Sequence, residues 1–369
     1  MTALVIDKAG LGALFSALVE NGYTIVGPTV RDQAIVYDAL DSPEDLPVGV
    51  TDDQEGGHYR LMERQDEARF GYNLGQSSWK RFLYPPRTEL FRATHTDEGV
   101  VFETVDDPVP RYAFIGVRAC ELAAIATQDD VFLDGTHGDR TYATRREQAL
   151  IIAVNCGQAA PTCFCTSMGT GPRCTTGYDI VMTEMIDGSA ATYVVDAGSE
   201  RGAAILDDLP GQPATTDDLD QVASVSTAAE QEIQRSMDTR GIRDLLVDNP
   251  NHERWADVAA RCLACGNCTL ACPTCFCSTT EDTVTLDGEA IRSRRWDSCF
   301  SLDFSALHGN PVRADTRSRY RQWMTHKLAT WHDQFDRSGC VGCGRCITWC
   351  PVGIDITQEV AAIQATVPS

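Results

Sequence analysis

The spacing of hydrophobic residues predicts one amphipathic helix near the start of the chain and several short strands after it. Leu11, Leu14, Phe15 and Leu18 recur at helical intervals, and Asn21-Gly22 follows as a typical helix end. Short runs rich in β-forming residues predict strands at Thr24–Val26, Ala34–Val36, 111–118, 149–155 and Thr192–Val195. Helical patterns lie between these runs, so we expect an α+β or α/β fold for the first two-thirds of the chain.

A change in composition divides the chain. Residues 206–225 contain Asp-Asp, Pro-Gly and Gln-Pro pairs and few large apolar residues, which predicts an acidic linker or loop over 206–226. We therefore expect an α+β domain at 1–205. A separate cysteine-rich, mainly helical domain should follow at 227–369.

The composition limits where the protein works and what it binds. None of its apolar runs approaches the roughly 18 residues of a membrane span, and the start MTALVIDKAG does not read as a signal peptide. We therefore expect a cytoplasmic protein, in which 16 cysteines indicate metal or redox chemistry rather than disulfides. The formal net charge of −22 disfavours nucleic acid and membrane surfaces as partners.

Two cysteine motifs with identical spacing lie in the C-terminal region. Each reads Cys-x2-Cys-x2-Cys-x3-Cys-Pro, at residues 262–273 and again at 340–351. This is the bacterial ferredoxin run, in which three cysteines of a motif bind one [4Fe–4S] cube and the fourth binds the other cube. The spacing therefore predicts two cubes.

The ferredoxin pattern assigns each cysteine of the motifs to a cluster. Set 1 consists of Cys262, Cys265, Cys268 and Cys350. Set 2 consists of Cys340, Cys343, Cys346 and Cys272. Zinc is the alternative, because paired Cys-x2-Cys motifs also build zinc sites. Zinc takes thiolates in two pairs, however, whereas each motif here offers three close together and a fourth before a proline, which favours iron–sulfur.

The pentapeptide Pro-Thr-Cys-Phe-Cys occurs twice, at 161–165 and at 273–277. In an extended segment residues i and i+2 face the same side, roughly 6.5 Å apart, so a Cys-x-Cys pair can present two thiolates to one cluster. Near the first copy, two more cysteines follow predicted strands and complete set 3, which consists of Cys120, Cys156, Cys163 and Cys165. By spacing alone, set 3 is either a third cube or a group of buried packing cysteines.

The second copy begins at the prolyl end of a ferredoxin motif. Cys275 and Cys277, together with Cys299 and Cys174, could supply another site, but their spacing does not require one. We expect these residues to pack and hydrogen-bond around the two cubes, and their individual roles stay open.

Several runs of the sequence resemble one known family. They include 114–125 (FIGVRACELAAI), 153–156 (AVNC), 163–172 (CFCTSMGTGP), 296–299 (WDSC) and 340–346 (CVGCGRC). These runs are similar to the beta subunit of soluble NAD(P)-linked nickel–iron hydrogenases, the sulfhydrogenases, and to the related A subunit of anaerobic sulfite reductase. The resemblance implies a subunit that relays electrons between a catalytic metal subunit and a flavoprotein that handles the nicotinamide. It also favours a third cube at set 3.

We therefore expect an electron-transfer subunit with [4Fe–4S] clusters, without catalytic residues or an organic cofactor of its own. Its expected partners are a flavoprotein NAD(P)-reductase subunit and the small and large subunits of a nickel–iron hydrogenase. The sequence has no strand–GxGxxG–helix unit and no P-loop. One alternative is the equivalent subunit of an anaerobic sulfite reductase. Another is a sulfur or disulfide reductase in its own right, with Cys174 as a candidate reactive thiol.

Overall fold

The computed structural model describes residues 3–73, 75–104, 109–133, 138–188, 190–286 and 288–367. Its strands are β1 (Leu4–Ile6), β2 (Thr24–Arg31), β3 (Ala34–Ala39), β4 (Val50–Glu55), β5 (His58–Glu63), β6 (Arg87–Thr96), β7 (Gly99–Thr104), β8 (Tyr112–Val117), β9 (Leu150–Val154), β10 (Ile180–Asp187), β11 (Ala190–Ala197), β12 (Gln212–Pro213), β13 (Ser278–Val284) and β14 (Ala290–Trp296). Its α-helices are α1 (Lys8–Glu20), α2 (Lys80–Leu83), α3 (Ala119–Phe132), α4 (Arg140–Gln148), α5 (Glu200–Leu206), α6 (Thr216–Glu232), α7 (Ile242–Asp248), α8 (Arg254–Arg261), α9 (Asn267–Leu270), α10 (Thr316–Thr325), α11 (Trp331–Phe335), α12 (Arg345–Thr348) and α13 (Ile356–Gln364).

An eight-stranded sheet forms the core of the N-terminal region, in the order β12-β1-β11-β10-β9-β8-β2-β3. The neighbours β2, β8, β9 and β10 run parallel, and the outer strands pair antiparallel. Ile115 and Ile152 belong to the same core cluster as α1, whereas Phe114 and Ile151 belong to the cluster of α3. The two helices therefore cover opposite faces, as expected for buried parallel strands.

The strongest periodic signals in the sequence are confirmed. The helix expected near the start is α1, which ends at Glu20. The five expected strands are confirmed as β2, β3, β8, β9 and β11. The N-terminal region is therefore a mixed sheet with helices, within the predicted class.

The C-terminal region contains more than helices. Strands β13 and β14 extend the β6–β7 hairpin into a four-stranded antiparallel sheet, in the order β13-β14-β6-β7. The expectation of a mainly helical region at 227–369 is therefore not confirmed. Strand β13 lacks the alternation of apolar residues that predicts a strand, because its residues STTEDTV include only one large apolar side chain.

The acidic segment at 206–226 contains β12 and the first part of α6. The Thr215 hydroxyl accepts a hydrogen bond from the N–H of Asp218, whose carboxylate accepts one from the N–H of Thr215 at 2.7 Å. This reciprocal capping box starts α6, which packs against β10 and β11. The division of the chain into domains at this segment stays a prediction.

A buried ion pair joins α12 in the C-terminal region to α3 in the N-terminal region. Arg345 Nη2 lies 2.5 Å from Glu121 Oε1, and both side chains are 1% exposed. The second carboxylate oxygen accepts hydrogen bonds from the Tyr37 hydroxyl and the Trp79 indole, each at 2.9 Å. The guanidinium also donates to two main-chain carbonyls of the segment 75–77. These bonds hold the two regions together at one point.

Replacing Glu121 by Gln should destabilise the protein strongly, because Arg345 would stay buried without a countercharge. Breaking a buried pair from one side costs about 3–5 kcal/mol, which anaerobic urea unfolding followed by tryptophan fluorescence would report. The control is Asp238→Asn, which removes a surface partner of Arg240 and should leave the unfolding midpoint unchanged. Equal midpoints for Glu121→Gln and the unmodified chain would contradict the assigned role of the pair.

Candidate metal centres

The four cysteines predicted as set 1 line a single cavity in the C-terminal region. Three of them lie on α9 and the loop before it, and Cys350 follows α12. The two motifs fold alike, because Gly266 and Gly344 each precede a short helix with φ values of 78° and 75°. This left-handed backbone suits glycine and turns each loop immediately after its second cysteine.

Main-chain N–H groups point at cysteine sulfurs in both motifs. The N–H of Ala264 donates to Cys262 Sγ at 3.4 Å, and that of Gly342 donates to Cys340 Sγ at 3.5 Å. The two bonds occupy equivalent positions, two residues after the first cysteine of each motif. Such bonds stabilise thiolates and tune the potential of a cluster that they hold.

Two aromatic residues that line the set 1 cavity carry buried polar atoms. The Tyr320 hydroxyl and the Trp323 Nε1 have no hydrogen-bond partner within the described part of the chain. Buried donors without partners are costly, and the sulfurs of an iron–sulfur cluster accept hydrogen bonds. Four thiols and two donors around one cavity therefore fit a [4Fe–4S] cube.

Set 2 is assembled from the second motif and the last cysteine of the first. Burial raises the pKa of Cys346 well above its usual value, and the nearby thiols of Cys340, Cys343 and Cys272 add to the effect. The Cys268 thiol of set 1 also raises the pKa of Cys346. The two ferredoxin sets are therefore neighbours.

A buried lysine donates a hydrogen bond to one cysteine of set 2. Lys327 Nζ donates to Cys272 Sγ at 3.1 Å and to the Thr274 hydroxyl at 2.8 Å. Burial opposes its charge, but the thiolates of Cys272 and Cys275 hold the pKa of Lys327 well above its usual value. The side chain therefore brings a positive charge to a predicted cluster ligand.

Set 3 comes together at the edge of the large sheet. Cys120 lies in the first turn of α3, which follows β8, and Cys156 comes shortly after β9. The two cysteines lie close together because β8 and β9 are parallel neighbours and the carboxyl ends of such strands are on the same side of the sheet. Burial raises the pKa of Cys120 well above its usual value, and the thiols of Cys343, Cys165 and Cys156 contribute in turn. The thiol of Cys163 also interacts with Cys156 and Cys343. Set 3 thus adjoins the second cysteine of the second motif.

The first Pro-Thr-Cys-Phe-Cys segment packs directly on the second ferredoxin motif. Phe164 is fully buried, and its N–H donates to the carbonyl of Gly342 at 2.9 Å. The hydroxyls of Thr162 and Thr348 lie 2.9 Å apart. A Cβ atom at Gly344 would lie 2.4 Å from the Thr162 carbonyl oxygen, so the close approach of the two segments requires glycine there.

A buried arginine accompanies set 3. Burial raises the pKa of the Cys156 thiol, and the Arg118 guanidinium opposes this effect. Arg118 is 3% exposed and donates to the carbonyls of Phe70 and Tyr72 at 2.7 and 3.1 Å. A buried cation beside four thiols suits an anionic cluster, because an isolated buried charge is costly.

The remaining four cysteines separate in the structure. Cys174 lies near Cys156 and donates its N–H to the Asn155 side chain at 2.8 Å, whereas Cys275, Cys277 and Cys299 line a different cavity. The cations beside the thiols were not identified from the sequence. Their closeness in sequence to the cysteines could have indicated them. Arg118 is two residues before Cys120 of set 3, and Arg345 is two residues after Cys343 of set 2.

Two further observations concern the described residues. No three His, Cys, Asp or Glu side chains among them lie close enough to hold one metal ion. In a cube, each thiolate binds a separate iron. Across the same residues, no helix is long and apolar enough to cross a membrane.

Comparison with known proteins agrees with the cysteine geometry. Residues 261–354 match the family model of a 4Fe-4S dicluster domain, which includes both ferredoxin motifs. The chain is also 31% identical, over 310 residues, to the sulfhydrogenase 2 subunit beta of Pyrococcus furiosus. That alignment covers 80% of this chain and 86% of the relative.

Replacing Lys327 by Met should lower the reduction potential of one cluster. Reduction adds negative charge, and the ammonium group 3.1 Å from Cys272 Sγ stabilises it. A redox titration followed by electron paramagnetic resonance would measure the shift, once equal iron contents have been established. Lys8→Met, at an exposed lysine, is the control. Unchanged potentials in Lys327→Met would contradict a cluster bound by Cys272.

Proposed function

Since the chain belongs to the family of sulfhydrogenase beta subunits, we propose that it relays electrons between a flavin- and NAD(P)-binding subunit and a nickel–iron hydrogenase module. The carriers are [4Fe–4S] clusters at sets 1, 2 and 3. The chain supplies thiolates, hydrogen bonds and buried charge, and its partners supply the chemistry at both ends.

The observation that carries the proposal is the order in which the sets meet. Set 3 adjoins set 2 at Cys343, which packs against the buried cluster that contains Cys120 and Cys165. Set 2 adjoins set 1 at Cys346, which lines the cavity of set 1. Because tunnelling rates fall steeply with distance, three adjoining centres suit one-electron transfer through the whole chain.

The surface around set 1 supports contact with a redox partner there. Cys265 is exposed, and its neighbour Leu263 is 63% exposed although it also lines the set 1 cavity. Val352, which lines the same cavity, is exposed as well. Exposed apolar residues close together are typical of interaction sites. We propose that a partner subunit covers this surface and exchanges electrons with the cluster at set 1.

The alternative complex is an anaerobic sulfite reductase. The match to a protein named as a sulfhydrogenase subunit favours the hydrogenase. In both complexes the chain would do the same work, because set 3, set 2 and set 1 connect in the same order.

Iron counting tests the number of carriers. Anaerobically purified Cys163→Ser should contain about four fewer irons and about four fewer acid-labile sulfides per chain than the unmodified protein, because it loses one ligand of a cube. Cys174→Ser, a nearby buried cysteine outside all three sets, should retain the full content. Equal iron in Cys163→Ser and the unmodified protein would make set 3 a packing cluster and shorten the relay to the two ferredoxin sets.

A further inference from the structure

A cavity of about 440 Å³ lies beside set 2, and no cysteine of the three sets lines it. Its walls include three other cysteines, Cys275, Cys277 and Cys299. His326 and Lys327 line the same cavity. Thiols, an imidazole and an ammonium group therefore surround one space that the relay described above does not use.

The strand pairing brings these cysteines together. Cys277 immediately precedes β13 and Cys299 comes shortly after β14, and the antiparallel register sets Ser278 opposite Trp296. The N–H of Asp297 donates to the Cys277 carbonyl at 2.8 Å. The thiols of Cys277 and Cys299 are within hydrogen-bonding distance of each other. The pairing of β13 with β14 thus brings together the two cysteines that flank the hairpin.

The second pentapeptide is anchored in much the same way as the first. Thr274 is buried, and its hydroxyl donates to the carbonyl of Gly339, next to the second ferredoxin motif, at 2.7 Å. Phe276 makes edge-to-face contacts with Phe132 and Trp331. In both copies a buried threonine and a packed phenylalanine hold the segment, so the two cysteines project as a fixed pair. In the first copy that pair belongs to a group of four thiols, which suggests an equivalent task for the second copy.

Buried positive charge surrounds the second pair. Lys80 Nζ donates to the carbonyls of Cys272 and Cys275 at 3.0 and 3.1 Å and lies 4.1 Å from the Trp296 ring centre. Neither Lys80 nor Lys327 forms an ion pair with a carboxylate in the ranges that the structure covers. A dithiol and its disulfide are both neutral, whereas a thiolate-bound cluster is anionic and balances these charges.

One more donor favours an anionic occupant. Arg313 Nη1 is a buried atom without a hydrogen-bond partner among the described residues, and its side chain lines the cavity. His326 opens a π-helix that spans His326–Thr330, and π-helical turns are frequent at functional sites. His326 lines the cavity together with the three cysteines, and imidazole is the commonest side-chain metal ligand.

We propose that Cys275, Cys277 and Cys299 bind a further iron–sulfur cluster, with His326 as its fourth ligand. A further cluster would explain why the pentapeptide occurs twice, because each copy would then supply two thiolates to a cluster of its own. The inference rests on the proposed relay only for the electrons that would reach the site from set 2. Its metal content can be tested without a partner subunit.

The test compares Cys277→Ala, Cys299→Ala and the double variant, each purified anaerobically as the full-length chain. Each single variant should lose the same amount of iron, about four per chain for a cube or about two for a two-iron cluster. The double variant should lose no more iron than either single variant, because both substitutions empty the same site. Cys174→Ala is the matched control and should lose none. Iron contents equal to that of the unmodified protein would overturn the proposal.

Three additional measurements separate the possible failures. Loss of iron in Cys163→Ala but not in Cys299→Ala would leave the relay intact and overturn only the further cluster, whereas the reverse would preserve the further cluster and remove set 3. Recovery of a Cys277–Cys299 disulfide peptide from alkylated, unreduced protein would also overturn the proposal of a further cluster.

The His326→Gln variant keeps all three thiols, so it should retain its iron and shift the electron paramagnetic resonance spectrum of one cluster. An unchanged spectrum would rule out His326 as a ligand.

Discussion

The ion pair between Arg345 and Glu121 is the constraint on which the arrangement of the cysteine sets depends. Arg345 stands between Cys343 and Cys346 in the second motif, and Glu121 follows Cys120 in α3. One charge pair, 1% exposed on both sides, therefore fixes α12, which lies in the second ferredoxin motif, against α3, which carries Cys120 of set 3. Removing either partner would leave the other charge buried without its counterion, at a cost of about 3–5 kcal/mol.

Other buried cations also lie beside the predicted cluster ligands. Arg118 lies beside Cys156, and Lys327 donates to Cys272 Sγ. Arg345 Nη1 is buried and lacks a hydrogen-bond partner in the described portion of the chain. Cations placed this deeply need anionic neighbours, and thiolate-bound clusters supply them. Under the proposed assignment, iron is therefore part of the charge balance of the fold as well as the carrier of electrons.

The sequence was most informative where chemistry depends on short spacing. Both ferredoxin motifs, α1 and the buried strands could be predicted, and the position of Cys120 and Cys156 after two strands indicated that they would meet. The β13–β14 hairpin was not predicted, because β13 has almost no apolar residues and is held by pairing with β14, which in turn pairs with β6. The Arg345–Glu121 contact joins residues 224 positions apart. Short-range patterns carry no information about such a contact.

The most direct test of the account is magnetic coupling between clusters in the fully reduced protein. Adjoining cubes at sets 3 and 2 should broaden each other's electron paramagnetic resonance signals. The account predicts that Cys163→Ser sharpens the signal of the cluster at set 2 while leaving its iron in place. A fully reduced spectrum that is a plain sum of independent clusters, and that does not change in Cys163→Ser apart from the loss of one component, would contradict a continuous relay through this chain.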